Sequence, residues 1–154
     1  MAKKKPYKER SDLEKVRSQW RKLKGLHSRE EWSAVIVRAA TAAELAANYV
    51  VRREFRSRSS FDRDFMDSLL KWANGLAGKM DRLLIPMFVG EKEHQTLKRL
   101  GRVAQEINKG RNAIVHGGEF SNEDEARAAI ETTRVFIEEL VRLYKPLFKI
   151  RKVQ

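Results

Sequence analysis

From Leu97 to Ile114 one side of the sequence repeats at spacings of 3, 4, 3, 4 and 3: Leu97, Leu100, Ala104, Ile107, Arg111, Ile114. That period belongs to an α-helix with one face turned to a core, and no strand tolerates it. Similar stripes recur along the chain. Leu13, Val16, Trp20 and Leu23 form one, and Trp32, Ile36, Ala39, Ala43, Ala46 and Val50 form another. Only 8 Gly and 3 Pro occur in 154 residues, too few turn formers for an all-β domain. The expectation is an all-α fold, an up-and-down bundle of about five helices.

End signals divide the chain. Residues 1–10 read as a disordered basic tail and 11–154 as one helical domain. The first helix is expected from the Ser11 cap to Lys24, with Gly25 ending it. A second is expected over 28–55, with Ser28 and Glu31 as a capping box. A third covers 61–76, with Phe61, Phe65, Leu69, Trp72 and Leu76 on one face, and a loop with a short helix fills 77–90. The fourth runs from Glu91 to His116, where Gly117-Gly118 stops it. Ser121, with Asp124, opens the last, which should bend or stop near Pro146. Trp20, Trp32 and Trp72 lie on apolar stripes and are read as core residues.

The chain holds 33 Lys and Arg against 21 Asp and Glu, a net charge of +12. Such charge suits a polyanion, either nucleic acid or an anionic membrane surface. The basic N-terminus has no apolar run behind it, so it does not read as a signal peptide, and a cytoplasmic setting is expected. Uncharged stretches fall far short of the ~20 apolar residues of a spanning helix, so no membrane is expected. With no cysteine and three scattered histidines, His27, His94 and His116, neither a metal nor a cofactor is expected. Residues 1–29 and 142–152 are both strongly basic. They suit either a surface that tracks phosphates or two solvated tails. Arg52, Arg53, Arg56, Arg58 and Arg63 cluster after the second stripe, as an RNA-contacting rim or a solvated face.

The segment with chemical potential is Arg111-Asn112-Ala113-Ile114-Val115-His116-Gly117-Gly118. Arg111 takes an apolar slot in the stripe. A guanidinium cannot shed its charge there and needs a partner, a buried carboxylate or a ligand phosphate. His116 lies about 140° further round an ideal helix, and the glycines after it let the backbone turn. It is either a residue that bonds the last carbonyls or a proton-transfer group. Arg and His without metal or thiol match RNA cleavage by the 2′-hydroxyl: one group takes the proton, one protonates the leaving oxygen, and a cation stabilises the phosphate. Two chains about a two-fold axis would supply both histidines. Arg21 and His27 repeat the spacing without the apolar context and are read as accidental.

This Arg-Asn-Ala-Ile-Val-His-Gly segment, set between two long helices, resembles the signature of HEPN domains. The match is close over about ten residues and loose over 11–145. It implies an all-α homodimer acting as a metal-independent endoribonuclease in a toxin–antitoxin, defence or RNA-processing setting, with a cognate antitoxin as a possible partner. The other functions it leaves open are a non-catalytic RNA- or nucleotide-binding module and a helical interaction scaffold. It assigns Arg111 and His116 as catalytic and Asn112 as the polar residue after the arginine. Glu44, in a narrow polar line with Thr41 and Asn48, corresponds to an acid on an earlier helix that would orient Arg111. The tyrosine that one subgroup carries two positions after the histidine is Gly118 here.

Overall fold

A computed structural model describes residues 3–153, and all regular structure among them is helical. A short 3-10 turn at Tyr7–Glu9 precedes α1 (Asp12–Ser28), α2 (Trp32–Arg58), α3 (Arg63–Trp72) and α4 (Gly75–Gly78). A π-helical turn at Lys79–Leu84 follows, then α5 (Ile85–Met87), α6 (His94–Val115) and α7 (Glu123–Val141).

The caps explain the boundaries. Ser11 Oγ accepts from the Glu14 amide at 3.2 Å, and the Glu14 carboxylate accepts from the Ser11 amide at 2.6 Å. This capping box starts α1 where expected. Gly25, however, does not stop the helix. A helical glycine costs about 1 kcal/mol, and the residues after it have packing to gain: Leu26 rests on the core and buried His27 meets Trp32 edge-on. Ser28 therefore closes α1, donating to the Gly25 carbonyl at 2.9 Å, instead of capping α2. The chain turns at Glu30, which has φ 59°. At α7 the box sits one residue later than expected, on Asn122 and Glu125.

α2 is the central element, in contact with α1, α6, α7 and the π-helical turn. Val35, Ala39, Ala42, Ala43, Ala46, Ala47 and Val50 are each at most 1 % exposed. Small side chains on more than one face let neighbouring helices approach from several sides. α2 alone among the described residues is long and apolar enough to cross a membrane, but most of it is buried against these neighbours.

Only part of the face expected to bury this segment does so: Leu76 is buried and Leu69 packs on the core. Met66 and Leu70 enter the core, whereas Phe61, Phe65 and Trp72 are 52, 47 and 63 % exposed. Ala73, at the end of α3, is also buried, so the chain enters α4 on the Met66 and Leu70 side. Trp72 instead lies under Arg82, 5.5 Å from ring centre to guanidinium carbon. Trp20 is core, as expected, and Trp32 is half-buried.

The two ends of the chain return to α1. Met1 and Ala2 of the basic N-terminal segment lie outside the described residues. Tyr7 accepts from Gln19 at 2.7 Å, and Arg10 donates to Ser18 at 3.0 Å. From the other end, the Trp20 indole donates to the Arg151 carbonyl at 2.9 Å and Arg17 to that of Lys149 at 3.2 Å, while Phe148 and Ile150 are buried. The C-terminal segment is thus held on the domain, and both basic ends lie along one helix.

Candidate functional site

The end of α6 grows out of the core. Leu97, Leu100, Ala104 and Ile107 are buried, and from Arg111 onward the same stripe leaves its neighbours. Arg111 through Ile114 are half-buried, Val115 is 46 % exposed and His116 is exposed. Gly110 faces Ile36, so this end of α6 lies beside the start of α2.

Arg111 has no carboxylate partner among the described residues. One guanidinium nitrogen donates to the Asn112 side-chain oxygen at 3.2 Å, a long bond to a neutral group. The rest of the fork is free to accept an anion. Asn112 thereby has a definite role: it steadies the arginine without neutralising it.

Glu44 does not orient Arg111. Its carboxylate accepts from the Lys79 ammonium at 2.5 Å, and the lysine side chain is only 5 % exposed. Since Ile36 marks the level of the α6 end, Glu44 stands roughly 12 Å further along α2. It faces the π-helical turn instead. Thr41 is equally uninvolved, donating to its own helix at Val37.

Two glycines shape the turn after His116 for different reasons. A Cβ on Gly117 would fall 2.6 Å from the Ala113 carbonyl oxygen, and Gly118 has φ +65°. The tight reversal lets the Gly117 amide reach Asn112 O at 3.2 Å and the Glu119 amide reach Ala113 O at 3.1 Å. These backbone amides take up the Asn112 and Ala113 carbonyls, and the His116 ring bonds no carbonyl among the described residues. It stands in solvent at the end of the helix that carries Arg111 about a turn and a half earlier. Past the turn, Phe120 is 94 % exposed. It borders a cleft of about 390 Å³ between α6 and α7, lined by Ile36, Ile107, Ile114, Ala128 and Ala129.

Arg52, Arg53 and Arg56 belong elsewhere. They surround one cleft of about 400 Å³ where the end of α2 meets the starts of α1 and α3. Arg52 is engaged, bonding Asp12 at 3.0 Å and Asp67 at 2.8 Å. Burial raises the Asp12 carboxyl above its ordinary value, against the lowering effect of Arg52. Arg53 and Arg56 are exposed and have no ion-pair partner among the described residues. The sequence cluster is therefore real in space, but one of its three arginines is structural. Lys79 was missed altogether: a lysine next to Gly78 has no local mark of burial. So was Phe61, whose period argued for the core.

No known protein family, curated protein or solved structure matches the chain.

Proposed function

We propose that the protein is a homodimeric endoribonuclease that uses Arg111 and His116 from both chains. One observation carries this reading: a half-buried arginine with no carboxylate partner among the described residues, on the same helix end as a solvent-facing histidine whose ring bonds no carbonyl there. A structural arginine would have acquired an acid, and a capping histidine would have bonded a carbonyl. The resemblance of the segment to HEPN domains points the same way.

In the proposed reaction, one imidazole takes the proton of a ribose 2′-hydroxyl. The 2′-oxygen attacks the adjacent phosphorus, and the bond to the 5′-oxygen breaks. The second imidazole, protonated, gives its proton to that leaving oxygen, leaving a 2′,3′-cyclic phosphate and a 5′-hydroxyl end. Arg111 balances the charge that grows on the non-bridging oxygens, with Asn112 fixing its plane. No step calls for a metal.

The dimer is part of the proposal because one chain supplies one such histidine. Val115 and Phe120, on either side of His116 in the sequence, are apolar side chains that are 46 and 94 % exposed. Exposed apolar groups of this kind are common at interfaces. The test is cleavage of RNA in the presence of EDTA by the parent protein and by His116→Ala. Cleavage that ends in 2′,3′-cyclic phosphate and disappears in the variant supports the proposal. Equal rates in both proteins remove it, and salt-dependent RNA binding without cleavage favours a non-catalytic RNA-binding module.

A further inference from the structure

The cleft at the end of α2 has a composition that the Arg111 site does not explain. Six cationic side chains line it, Arg10, Lys15, Arg52, Arg53, Arg56 and Arg63, against one carboxylate, Asp12. That carboxylate is occupied by Arg52. The wall therefore carries a large uncompensated positive charge in a concave site, which focuses the field on an anion inside it. Tyr49 also lines it, and its buried hydroxyl has no hydrogen-bond partner among the described residues.

The rim is aromatic. Phe61 lines the cleft and is 52 % exposed, with Phe65 against it at 4.4 Å between ring centres and Phe55 behind at 6.3 Å. An exposed phenylalanine supported by two others is a fixed flat surface. A water-exposed ring beside guanidinium groups is costly as core design and well suited to a base stacked next to its own phosphate.

We infer that this cleft binds single-stranded RNA, with a phosphodiester held by Arg53, Arg56 and Arg63 and a neighbouring base stacked on Phe61. Duplex RNA is a poor fit, because its bases are already stacked and cannot reach the ring. The cleft lies about 24 Å along α2 from the level of Arg111. One strand could therefore be anchored here while a bond several nucleotides away lies at the other end of the helix. The choice of RNA as the polyanion rests on the function proposed above, but the site is distinct from Arg111 and His116.

The experiment measures fluorescence anisotropy with a short labelled oligouridine and, separately, an RNA duplex. Both use His116→Ala protein, so that the strand stays intact whichever way the cleavage test falls. Arg53→Gln with Arg56→Gln is expected to weaken oligouridine binding at least tenfold and to lower the slope of log affinity against log salt by about 1.4. Phe61→Ala is expected to weaken the single strand about tenfold and leave the duplex unchanged. All three side chains are exposed, and circular dichroism establishes that the variants fold. Arg63→Gln gives a second reading of the phosphate contact. Unchanged oligouridine binding in these variants overturns the inference, as does equal loss for single strand and duplex. Displacement of the oligouridine by micromolar ATP or pyrophosphate also overturns it, assigning the cleft to a small phosphate ligand.

Discussion

Glu44 pairs with Lys79, and the two ends of that bond differ sharply in their access to water: the lysine side chain is 5 % exposed and the glutamate side chain 32 %. Removing each partner therefore has a different consequence. Glu44→Gln leaves an ammonium enclosed by the core with only an amide oxygen to face, a loss of about 1–3 kcal/mol. Lys79→Met leaves a carboxylate that can turn to solvent and puts an apolar chain in an apolar place, so its loss is smaller. Urea unfolding of the two variants checks this, and a larger loss for Lys79→Met would contradict it.

Arg111→Ala separates a catalytic from a structural arginine. A guanidinium that bonds only Asn112 holds little of the fold together. The expected cost in stability is under about 1 kcal/mol, as for other surface groups away from networks. RNA cleavage should fall by at least two orders of magnitude, the usual scale for losing a group that stabilises transition-state charge. A large drop in urea midpoint would instead make Arg111 a tie between helices.

Phe120 offers the test of association. At 94 % exposure it contributes nothing visible to its own domain. Phe120→Asp should leave the helical circular dichroism of the folded chain unchanged and convert a dimer to a monomer in sedimentation velocity, with loss of cleavage. A variant that remains dimeric places the interface on another face.

Tyr144 gives a pH signature. Burial, then its hydrogen bond to the Glu54 carboxylate, raises the phenol far above the ordinary 10.0. The folded chain thus holds a proton that the unfolded chain releases above pH 10. Its contribution to stability is complete below that pH and falls as pH rises through it. Absorbance titration of phenolate in the parent and in Tyr144→Phe should differ by one group that fails to ionise until the protein unfolds. Tyr144→Phe should flatten the loss of stability above pH 10. A phenol lost from the titration of the folded state on going to Tyr144→Phe would refute the assignment.

How much of this was legible in the sequence depends on the range of the interaction. Ser11 with Glu14, the 3–4 stripe of α6 and the Gly117-Gly118 stop involve residues within a turn or two of each other, and each was readable in advance. So was the anomaly of Arg111, because an apolar stripe exposes any charge that interrupts it. Gly25 shows where local rules give way: packing of Leu26 and His27 outweighed a weak stop signal.

The partner of Glu44, the outward face of α3 and the assembly of Arg10, Arg53, Arg63 and Phe61 around one cleft were decided by the meeting of helices distant in sequence. Helical periodicity tells which side chains share a face but not which neighbour that face will meet. Hydrophobic burial is non-directional and leaves the choice to packing. The sequence alone therefore determined an all-α chain with an arginine and a histidine at one helix end. Only the tertiary structure decided that the arginine has no carboxylate partner among the described residues.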